Sequence, residues 1–245
     1  MNFSAISNKC ILGKFLRFPL RFIPANLVLL ILQGKLKGKK WIVGSGNNGY
    51  WLGGYEYEKR ILFEKTILEG DIVFDIGAHV GFYTILSSEL VGINGKVIAF
   101  EPFSRNIFYL KQRHLQLNRC ANVKVIEAAV IEHCGAVFFE EGISSSMGHT
   151  SPKGKFSVRG VSLDELISNG EVPPPDCIKI DVEGDEMLVL IGAKSILKNK
   201  HPKIFLATHR HKVHKECCKF LKSLNYNLQS INKNNLDITD EILAR

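Results

Sequence analysis

The chain has 245 residues, of which 45% are apolar and 23% charged, a balance typical of a globular protein with one sizeable core. Its net charge is +8, yet residues 1–41 contain eight Lys or Arg and no acidic residue, so the rest of the chain carries 24 basic and 24 acidic side chains. A neutral body gives no support for the basic groove that nucleic-acid enzymes use, so we expect no nucleic-acid partner.

Residues 1–41 form a basic and apolar N-terminal arm. The longest uncharged run, residues 22–33, is too short to span a bilayer, and Arg17 and Arg21 interrupt any signal-peptide core. Two interpretations stay open: the arm packs on the domain with its lysines in solvent, or it rests as a basic amphipathic segment on an anionic membrane surface. Six cysteines without a Cys-x-x-Cys spacing are typical of a reduced protein. We therefore expect a cytoplasmic location, with peripheral contact at the inner face of the membrane under the second interpretation.

Residues 42–231 alternate short apolar strands with amphipathic helices. Strands are predicted at 71–76, 96–101, 122–127, 177–182 and 203–208, with a last one at 226–231. Helices are predicted at 80–91, 104–118, 185–198 and 212–224. This alternation predicts an α/β domain with a doubly wound, mostly parallel sheet.

The interval 129–175 interrupts this alternation. It contains an apolar run at 137–139, a Ser/Gly-rich stretch at 142–151, a strand signal at 156–161 and a helix signal at 162–168. We interpret it as a small inserted β/loop region, in which residues 144–147 are either the wall of an acceptor site or a surface loop. Residues 232–245 are predicted to be a polar tail.

The stretch around Asp75 predicts a ligand-binding loop between the first strand of the sheet and its helix. Asp75 closes the apolar strand, Gly77 and Gly81 allow the backbone to approach a ligand, and a helix opens near Val80 with free N–H groups. Glu101 ends the next strand, where a carboxylate can accept both hydroxyls of a ribose. The alternative for Glu101 is simply a strand end, followed by a helix that begins with a proline.

Carboxylates also close two further strands. Glu127 and Asp181 hold the same position as Asp75 and Glu101, and ligands of an open parallel sheet bind outside the carboxyl ends of its strands. The Gly-x-x-x-Gly spacing lacks the third glycine that the pyrophosphate of a nicotinamide cofactor requires, so it fits S-adenosylmethionine better. A nicotinamide-dependent oxidoreductase is the alternative enzyme.

Four segments together resemble the FkbM-type family of S-adenosylmethionine-dependent methyltransferases. They are residues 73–84 (VFDIGAHVGFYT), 99–102 (AFEP), 162–164 (SLD) and 179–184 (KIDVEG), the last followed by Gly192 and Ala193. Residues 41–56 are similar to the region that precedes the first strand in this family. The resemblance, over residues 34–228, implies a class I methyltransferase fold, which is Rossmann-like, and transfer of a methyl group to oxygen, with acceptors among sugars and polyketides.

The resemblance and the strand ends together identify the expected cofactor contacts. These are Glu56, Asp75, Gly77, Ala78, His79, Gly81, Glu101, Pro102, Glu127, Ala128 and Asp181. Two positions depart from the family, since His79 stands where Asn is frequent and Ala207 stands where a Glu-x-His element has its glutamate. The second departure leaves the catalytic assignment open.

Three residues are candidates for a catalytic role at the transferred methyl group. Asp181 can position the cofactor ammonium, bind a metal or accept a proton, Glu183 is a second carboxylate in the same loop, and His209 follows the next strand and can act as a base. The alternative is a structural turn network in which the aspartate caps the following helix. His209, His211 and His214 form an H-x-H-x-x-H pattern, which we interpret as water-facing histidines rather than a metal site, and Mg²⁺ at Asp181 stays unproven.

The expected function is methylation of a hydroxyl on a sugar, a glycoconjugate or a similar small molecule, with S-adenosylmethionine as cofactor. A membrane-surface binding protein with a degenerate methyltransferase body is the alternative from another class, and Ala207 is its support in the sequence. The sequence leaves the identity of the acceptor and the oligomeric state open.

Overall fold

The computed structural model of the chain describes residues 18–141, 148–150, 156–232, 235–236 and 239–245. The predicted acceptor wall at residues 144–147 and the first seventeen residues of the arm lie outside these ranges. In the described part of the chain, the strands form a two-stranded, a four-stranded and a seven-stranded sheet.

The strands and helices follow one another as an α/β alternation after a short N-terminal hairpin. The strands are β1 (Val28–Leu30), β2 (Lys40–Ile42), β3 (Ile72–Ile76), β4 (Lys96–Phe100), β5 (Val123–Ile126), β6 (Ala129–Val130), β7 (Gly135–Glu141), β8 (Gly148–Thr150), β9 (Phe156–Val161), β10 (Cys177–Ile180), β11 (Lys203–Ala207), β12 (Leu228–Ser230) and β13 (Glu241–Ala244). The helices are α1 (Gly49–Leu52), α2 (Tyr57–Thr66), α3 (Phe82–Val91), α4 (Ser104–Ile107, continued by a π-helical stretch Phe108–His114 and by Leu115–Asn118), α5 (Leu163–Ser168), α6 (Glu186–Ile191), α7 (Lys194–Asn199) and α8 (His211–Ser223). Two 3₁₀ turns, Phe18–Phe22 and Val43–Ser45, flank the hairpin.

The central sheet has its strands in the order β12-β13-β11-β10-β3-β4-β5. The strands from β11 to β5 are parallel, and β13 runs antiparallel to both of its neighbours. Because β3 pairs with both β4 and β10, the winding of the chain reverses there and leaves a crevice at the carboxyl ends of these strands. This crevice lies where the sequence predicts a ligand site.

Both faces of the sheet are buried. In β3, Phe74 and Ile76 belong to one hydrophobic cluster, and Val73 belongs to a second cluster on the opposite face. Successive side chains of a strand point to opposite faces, so a continuous apolar run is needed when helices cover both. The predicted α/β class with a doubly wound, mostly parallel sheet is confirmed.

The C-terminal segment, predicted to be a polar tail, adds a strand to the central sheet. Residues 241–244 form β13, which lies between β11 and β12, and Ile242, Leu243 and Ala244 are buried. The sequence predicts a polar tail from residue 232 because this apolar run is short and follows a stretch of polar residues. The correction matters for the site, since Glu241 at the start of β13 is paired with Ala207 at the carboxyl end of β11.

Two helix boundaries differ from the prediction. The helix after β3 begins at Phe82 rather than near Val80, because a turn through Gly81, with φ +100°, precedes it. The helix predicted at 185–198 is divided into α6 and α7 around Gly192, whose added Cβ would lie 2.0 Å from the Ile131 carbonyl oxygen. The inserted region forms the small sheet β6-β9-β7-β8, as the strand signals within it suggest.

The second half of the N-terminal arm packs on the domain. In the β1–β2 hairpin, Ile31, Leu36 and Trp41 are buried in the cluster that includes α2 and α3. The Trp41 ring stacks on His114 at 3.9 Å between centroids, and the predicted boundary at residue 41 falls inside β2. Among the residues described, none of the helices combines the length and apolarity that crossing a bilayer requires.

Candidate active site

A cavity of about 390 Å³ opens at the carboxyl ends of β3, β4 and β10. Its floor includes Gly77 and Ala78 after β3, Glu101 after β4, and Asp181 after β10. Tyr50 and Tyr55, from the segment around α1, form an aromatic wall with ring centroids 4.3 Å apart. The cavity is large enough for a nucleoside-sized ligand.

The turn after β3 lies directly against the end of β10. Gly77 has φ +73°, and a Cβ at this position would lie 1.9 Å from the Asp181 carbonyl oxygen, so the approach requires glycine. Lys179 Nζ donates a hydrogen bond to the Gly77 carbonyl oxygen at 2.9 Å. The turn is thereby held in place, with its backbone exposed to the cavity.

His79 occupies the same turn in a left-handed conformation, with φ +51°. Its backbone N–H donates to Glu101 Oε2 at 2.8 Å. Its Nε2 atom is buried and has no hydrogen-bond partner within the described ranges. Burial lowers the pKa of His79 to about 4, an effect that the Lys179 charge reinforces, so the ring is neutral at physiological pH.

Glu101 links the β3 turn to the segment after β4. Besides the N–H of His79, its carboxylate accepts the Phe103 N–H at 3.1 Å and the Asn106 side-chain amide at 3.0 Å. Only 3% of the residue is exposed, and burial raises the pKa of its carboxyl group although these three donors oppose the shift. A carboxylate has about four acceptor positions, so one remains available to a ligand in the cavity.

Two buried lysines hold the carboxylates at the centre of the site. Lys59 on α2 forms ion pairs with Glu56, with Glu241 at 2.6 Å and with Asp181 at 3.9 Å. Lys179 on β10 lies 3.8 Å from the same Asp181 carboxylate. Burial alone would raise the pKa of Asp181, but the two lysines lower it, so this carboxylate is ionised.

Asp75 belongs to this network but does not line the cavity. It is fully buried, with Oδ2 accepting the Thr84 hydroxyl at 2.6 Å and Oδ1 lying 3.2 Å from Lys179 Nζ. Two lysines in the network face four carboxylates, those of Glu56, Asp75, Asp181 and Glu241. Four carboxyl groups that face two ammonium groups favour a ligand with positive charge.

His209 lies among three carboxylates on the other side of Asp181. Its Nδ1 is 2.8 Å from Glu186 Oε1, and its Nε2 is 3.4 Å from Asp181 Oδ1 and 3.7 Å from Glu183 Oε2. The hydrogen bond to Glu186 raises the pKa of His209, and the other carboxylates add to this effect. Burial raises the pKa of Glu183, although the His209 charge opposes the shift.

The structure brings most of the predicted site residues together. Those that line the cavity are Glu56, Gly77, Ala78, His79, Glu101, Pro102, Ala128, Asp181, Glu183 and His209. Asp75 lies behind the cavity, Gly81 packs against Leu110, and the Glu127 side chain is exposed and paired with Lys111 at 3.1 Å. These three residues therefore contact the cavity indirectly or not at all.

Several residues of the site were not predicted. Lys179 and Glu186 flank Asp181 and Glu183 in the same motif. The high density of charged residues in this short segment is a signal that could have identified them. Lys59 and Tyr50 give no comparable signal in the sequence, because α2 and α1 reach the site only through tertiary packing.

The histidine pattern after β11 does not converge. His211 is exposed, whereas His214 is buried, with Nδ1 2.9 Å from the Thr208 hydroxyl and Nε2 2.7 Å from the Leu236 carbonyl oxygen. The prediction that all three histidines face water is therefore wrong for His214. Within the described ranges, no group of three or more His, Cys, Asp or Glu side chains has a geometry suited to a metal ion.

Comparison with known proteins identifies the family of this site. The family model of the methyltransferase FkbM domain matches residues 75–228, which is more than half of the chain. The chain belongs to the FkbM family of methyltransferases. This confirms the resemblance seen in the sequence, and it does not favour the nicotinamide-dependent alternative.

Individual relatives agree with this assignment. The hexuronic acid methyltransferase AglP of Haloferax volcanii is 29% identical over 143 residues, which cover 57% of this chain and 56% of that protein. The match thus spans little more than half the length of this curated relative.

Two solved structures share the fold of the chain. The methyltransferase FkbM from Methylobacillus flagellatus KT has a TM-score of 0.51 at 16% identity, and the match covers 81% of this chain and 55% of that chain. A putative rRNA methylase from Clostridium thermocellum has a TM-score of 0.50 at 15% identity and covers 77% and 92% of the respective chains. The fold is that of class I methyltransferases, as the resemblance implies.

The site fits S-adenosylmethionine, the cofactor of this family. The Gly77 turn presents its backbone to the cavity, and Glu101 keeps one acceptor position that a ribose hydroxyl can use. The excess of carboxylates around Asp181 suits a ligand that carries a sulfonium and an ammonium group. The chemistry of the cavity therefore agrees with the family to which the chain belongs.

Proposed function

We propose that this protein methylates a hydroxyl group of a sugar or glycoconjugate. The observation that carries the proposal is the cavity itself, in which a cofactor cradle at Gly77 and Glu101 adjoins the His209 cluster. The name of the relative AglP, a hexuronic acid methyltransferase, supports a sugar as the acceptor. A small molecule that carries a similar hydroxyl is included in the proposal.

Each part of the cavity has a role in this proposal. Glu101 accepts a ribose hydroxyl, Gly77 and Ala78 present backbone groups, and Asp181 with Glu56 faces the positively charged end of the cofactor. S-adenosylmethionine supplies a methyl group that is already activated for transfer. The protein has to hold the acceptor oxygen in line with that group, exclude water and receive the hydroxyl proton.

Calorimetry tests the cofactor site. Wild-type protein should bind S-adenosylmethionine in the micromolar range, Glu101→Ala should abolish measurable binding, and Glu101→Gln should weaken it by about 10-fold or more, because a charged acceptor is lost. Glu69→Gln, an exposed carboxylate outside the cavity, is the matched control. Wild-type affinity in Glu101→Ala would show that the cofactor does not lie at β4.

A labelled-methyl assay tests the acceptor. Protein and tritiated S-adenosylmethionine are incubated with methyl glucuronide, methyl glucoside or buffer alone, and the product is located by NMR. We expect label in an O-methyl ether of at least one glycoside. Cofactor binding without label in either glycoside would contradict the sugar acceptor and leave the cofactor site intact.

We include peripheral membrane contact through residues 1–41 in the proposal. The described part of the arm exposes several large apolar side chains, with Phe22 73%, Leu30 52% and Leu32 49% accessible. The same arm has eight basic and no acidic residues. Apolar side chains surrounded by positive charge fit an anionic lipid surface, which would place the protein at the inner face of the membrane.

Vesicle flotation tests this contact. Full-length protein should float with phosphatidylserine-containing vesicles and stay behind with neutral phosphatidylcholine vesicles. Leu30→Ser combined with Leu32→Ser should reduce flotation by about 10-fold, since two apolar side chains are lost from the contact. Ile191→Ser is the control, since it removes an exposed apolar side chain from α6, which lies away from the arm and packs on the cluster that contains Phe74 and Ile76. This variant should float as the wild type does. Equal loss in both variants would refute the contact.

A further inference from the structure

A buried carboxylate lies behind His209. Glu186, the first residue of α6, is fully buried, and its Oε1 accepts hydrogen bonds from the Gly184 N–H at 2.9 Å and from His209 Nδ1 at 2.8 Å. Its Oε2 has no hydrogen-bond partner in the part of the chain that the structure describes. A buried carboxylate is costly unless it is hydrogen-bonded or paired with a positive charge, and the His209 ring supplies a hydrogen bond here and a charge when it is protonated.

The other ring nitrogen of His209 faces the cavity. Because Nδ1 donates to Glu186, Nε2 carries the lone pair in the neutral ring. Nε2 is 3.4 Å from Asp181 Oδ1 and 3.7 Å from Glu183 Oε2, which is long for direct hydrogen bonds. His209, Asp181 and Glu183 all line the cavity, so an acceptor hydroxyl can approach Nε2 there.

We propose that Glu186 is a positioning residue, which holds His209 in the tautomer and orientation that let Nε2 take the proton of the acceptor hydroxyl. This inference rests on the proposed function. The hydroxyl O–H bond breaks as its proton passes to Nε2, and the oxygen bonds to the methyl carbon. The bond from that carbon to the cofactor sulfur breaks, with its electron pair kept by sulfur. The imidazolium that forms is stabilised by Glu186 and later gives its proton to water.

The electrostatic surroundings of His209 support this role. Three carboxyl groups face the His209 ring, those of Asp181, Glu183 and Glu186. Two lysines, Lys59 and Lys179, lie beside Asp181. The hydrogen bond to Glu186 is the largest of the influences that raise the pKa of His209. An isosteric neutral residue at 186 should therefore lower this pKa and weaken the base, while leaving the shape of the site unchanged.

The test compares wild-type protein with Glu186→Gln in two measurements. Histidine ¹⁵N NMR titration of the protein without acceptor should show that the pKa of His209 falls. Methyl transfer to methyl glucuronide or methyl glucoside should lose about 10- to 100-fold in plateau kcat, with KM within twofold, and the inflection in kcat should move to lower pH. Glu216→Gln, which removes a half-exposed carboxylate on α8, is the control and should match the wild type.

Further variants separate a positioning role from a merely structural one. His209→Gln should lose about 10²- to 10⁴-fold in kcat, and adding Glu186→Gln to it should cost little more, because the two residues act as a unit. An unchanged His209 titration in Glu186→Gln would overturn the proposal, as would a lowered pKa with an unchanged plateau rate. If the wild type methylates neither glycoside, the proposed acceptor is wrong, and the titration still decides whether Glu186 governs the protonation of His209.

Discussion

Replacing Gly77 with Ala should weaken both the fold and cofactor binding, because a methyl group has no room at this position. Gly77 has a left-handed backbone, with φ +73°, and its added Cβ would lie 1.9 Å from the Asp181 carbonyl oxygen. That oxygen belongs to the backbone and cannot turn away as the end of a flexible side chain can. The β3 turn and the β10 end would have to separate by about 1 Å or more to restore ordinary contact.

Two contributions determine the size of this effect. A non-glycine residue in the left-handed region costs about 1–2 kcal/mol. Forcing a methyl group into a packed contact adds about 1–3 kcal/mol. A total of about 3 kcal/mol lowers the melting temperature of a chain of this size by roughly 6–12 °C.

Gly170 offers a matched control for the backbone contribution alone. Its φ is +72°, and nothing lies within 4 Å of an added Cβ. Urea unfolding should show that Gly77→Ala loses about 1–3 kcal/mol more than Gly170→Ala, which measures the clash. Calorimetry should show that Gly77→Ala binds S-adenosylmethionine at least about 10-fold more weakly, whereas Gly170→Ala binds it normally.

Equal destabilisation of the two variants would refute the reasoning about the clash. Such a result would mean that the turn at Gly77 does not meet the backbone at Asp181 as described. Normal cofactor affinity in a destabilised Gly77→Ala protein would separate the two claims. The packing would then be correct, and the placement of the cofactor across the turn would be wrong.

Three further predictions concern the charged groups of the domain. Lys59→Met should cost about 3–5 kcal/mol in urea unfolding, because it removes a buried charge that three partly buried carboxylates share. Lys111→Met breaks an exposed pair and should cost less than about 1 kcal/mol. Burial lowers the pKa of His114 to about 4, below its value of about 6.5 in the unfolded chain. The unfolded chain therefore binds a proton more readily, and the free energy of unfolding falls as the pH falls below about 6.5. At pH 5 this group alone accounts for a loss of about 2 kcal/mol. Urea unfolding at pH 7.5 and pH 5 should therefore show a smaller difference for His114→Gln than for the wild type. Asp181→Asn should lower the pKa of His209 less than Glu186→Gln does, because the hydrogen bond to Glu186 is the larger influence on that pKa. NMR titration of His209 in both variants checks this order.

The predicted strands and the strand-end carboxylates illustrate how much local sequence can determine. Strands buried on both faces need continuous apolar runs, so the runs ending at Asp75, Glu101 and Asp181 were visible without a structure. Since parallel strands align their carboxyl ends, Glu101 and Asp181 were expected at one edge, and both line the cavity there. The same rule placed Glu127 at that edge, but it could not show that this side chain turns to solvent.

By itself, the sequence determined the alternation of elements, the family and the loop that forms the cavity floor, because these depend on periodicity and on motifs contiguous in the chain. Only the tertiary structure decided which charges meet. Lys59, Glu241 and Asp181 come from a helix, a C-terminal strand and a central strand end, and no local pattern relates them. Likewise, the pairing of Glu186 with His209 depends on how α6 packs beside α8, the helix that follows His209. Burial sets the strength of these interactions, and burial is a property of the folded chain as a whole.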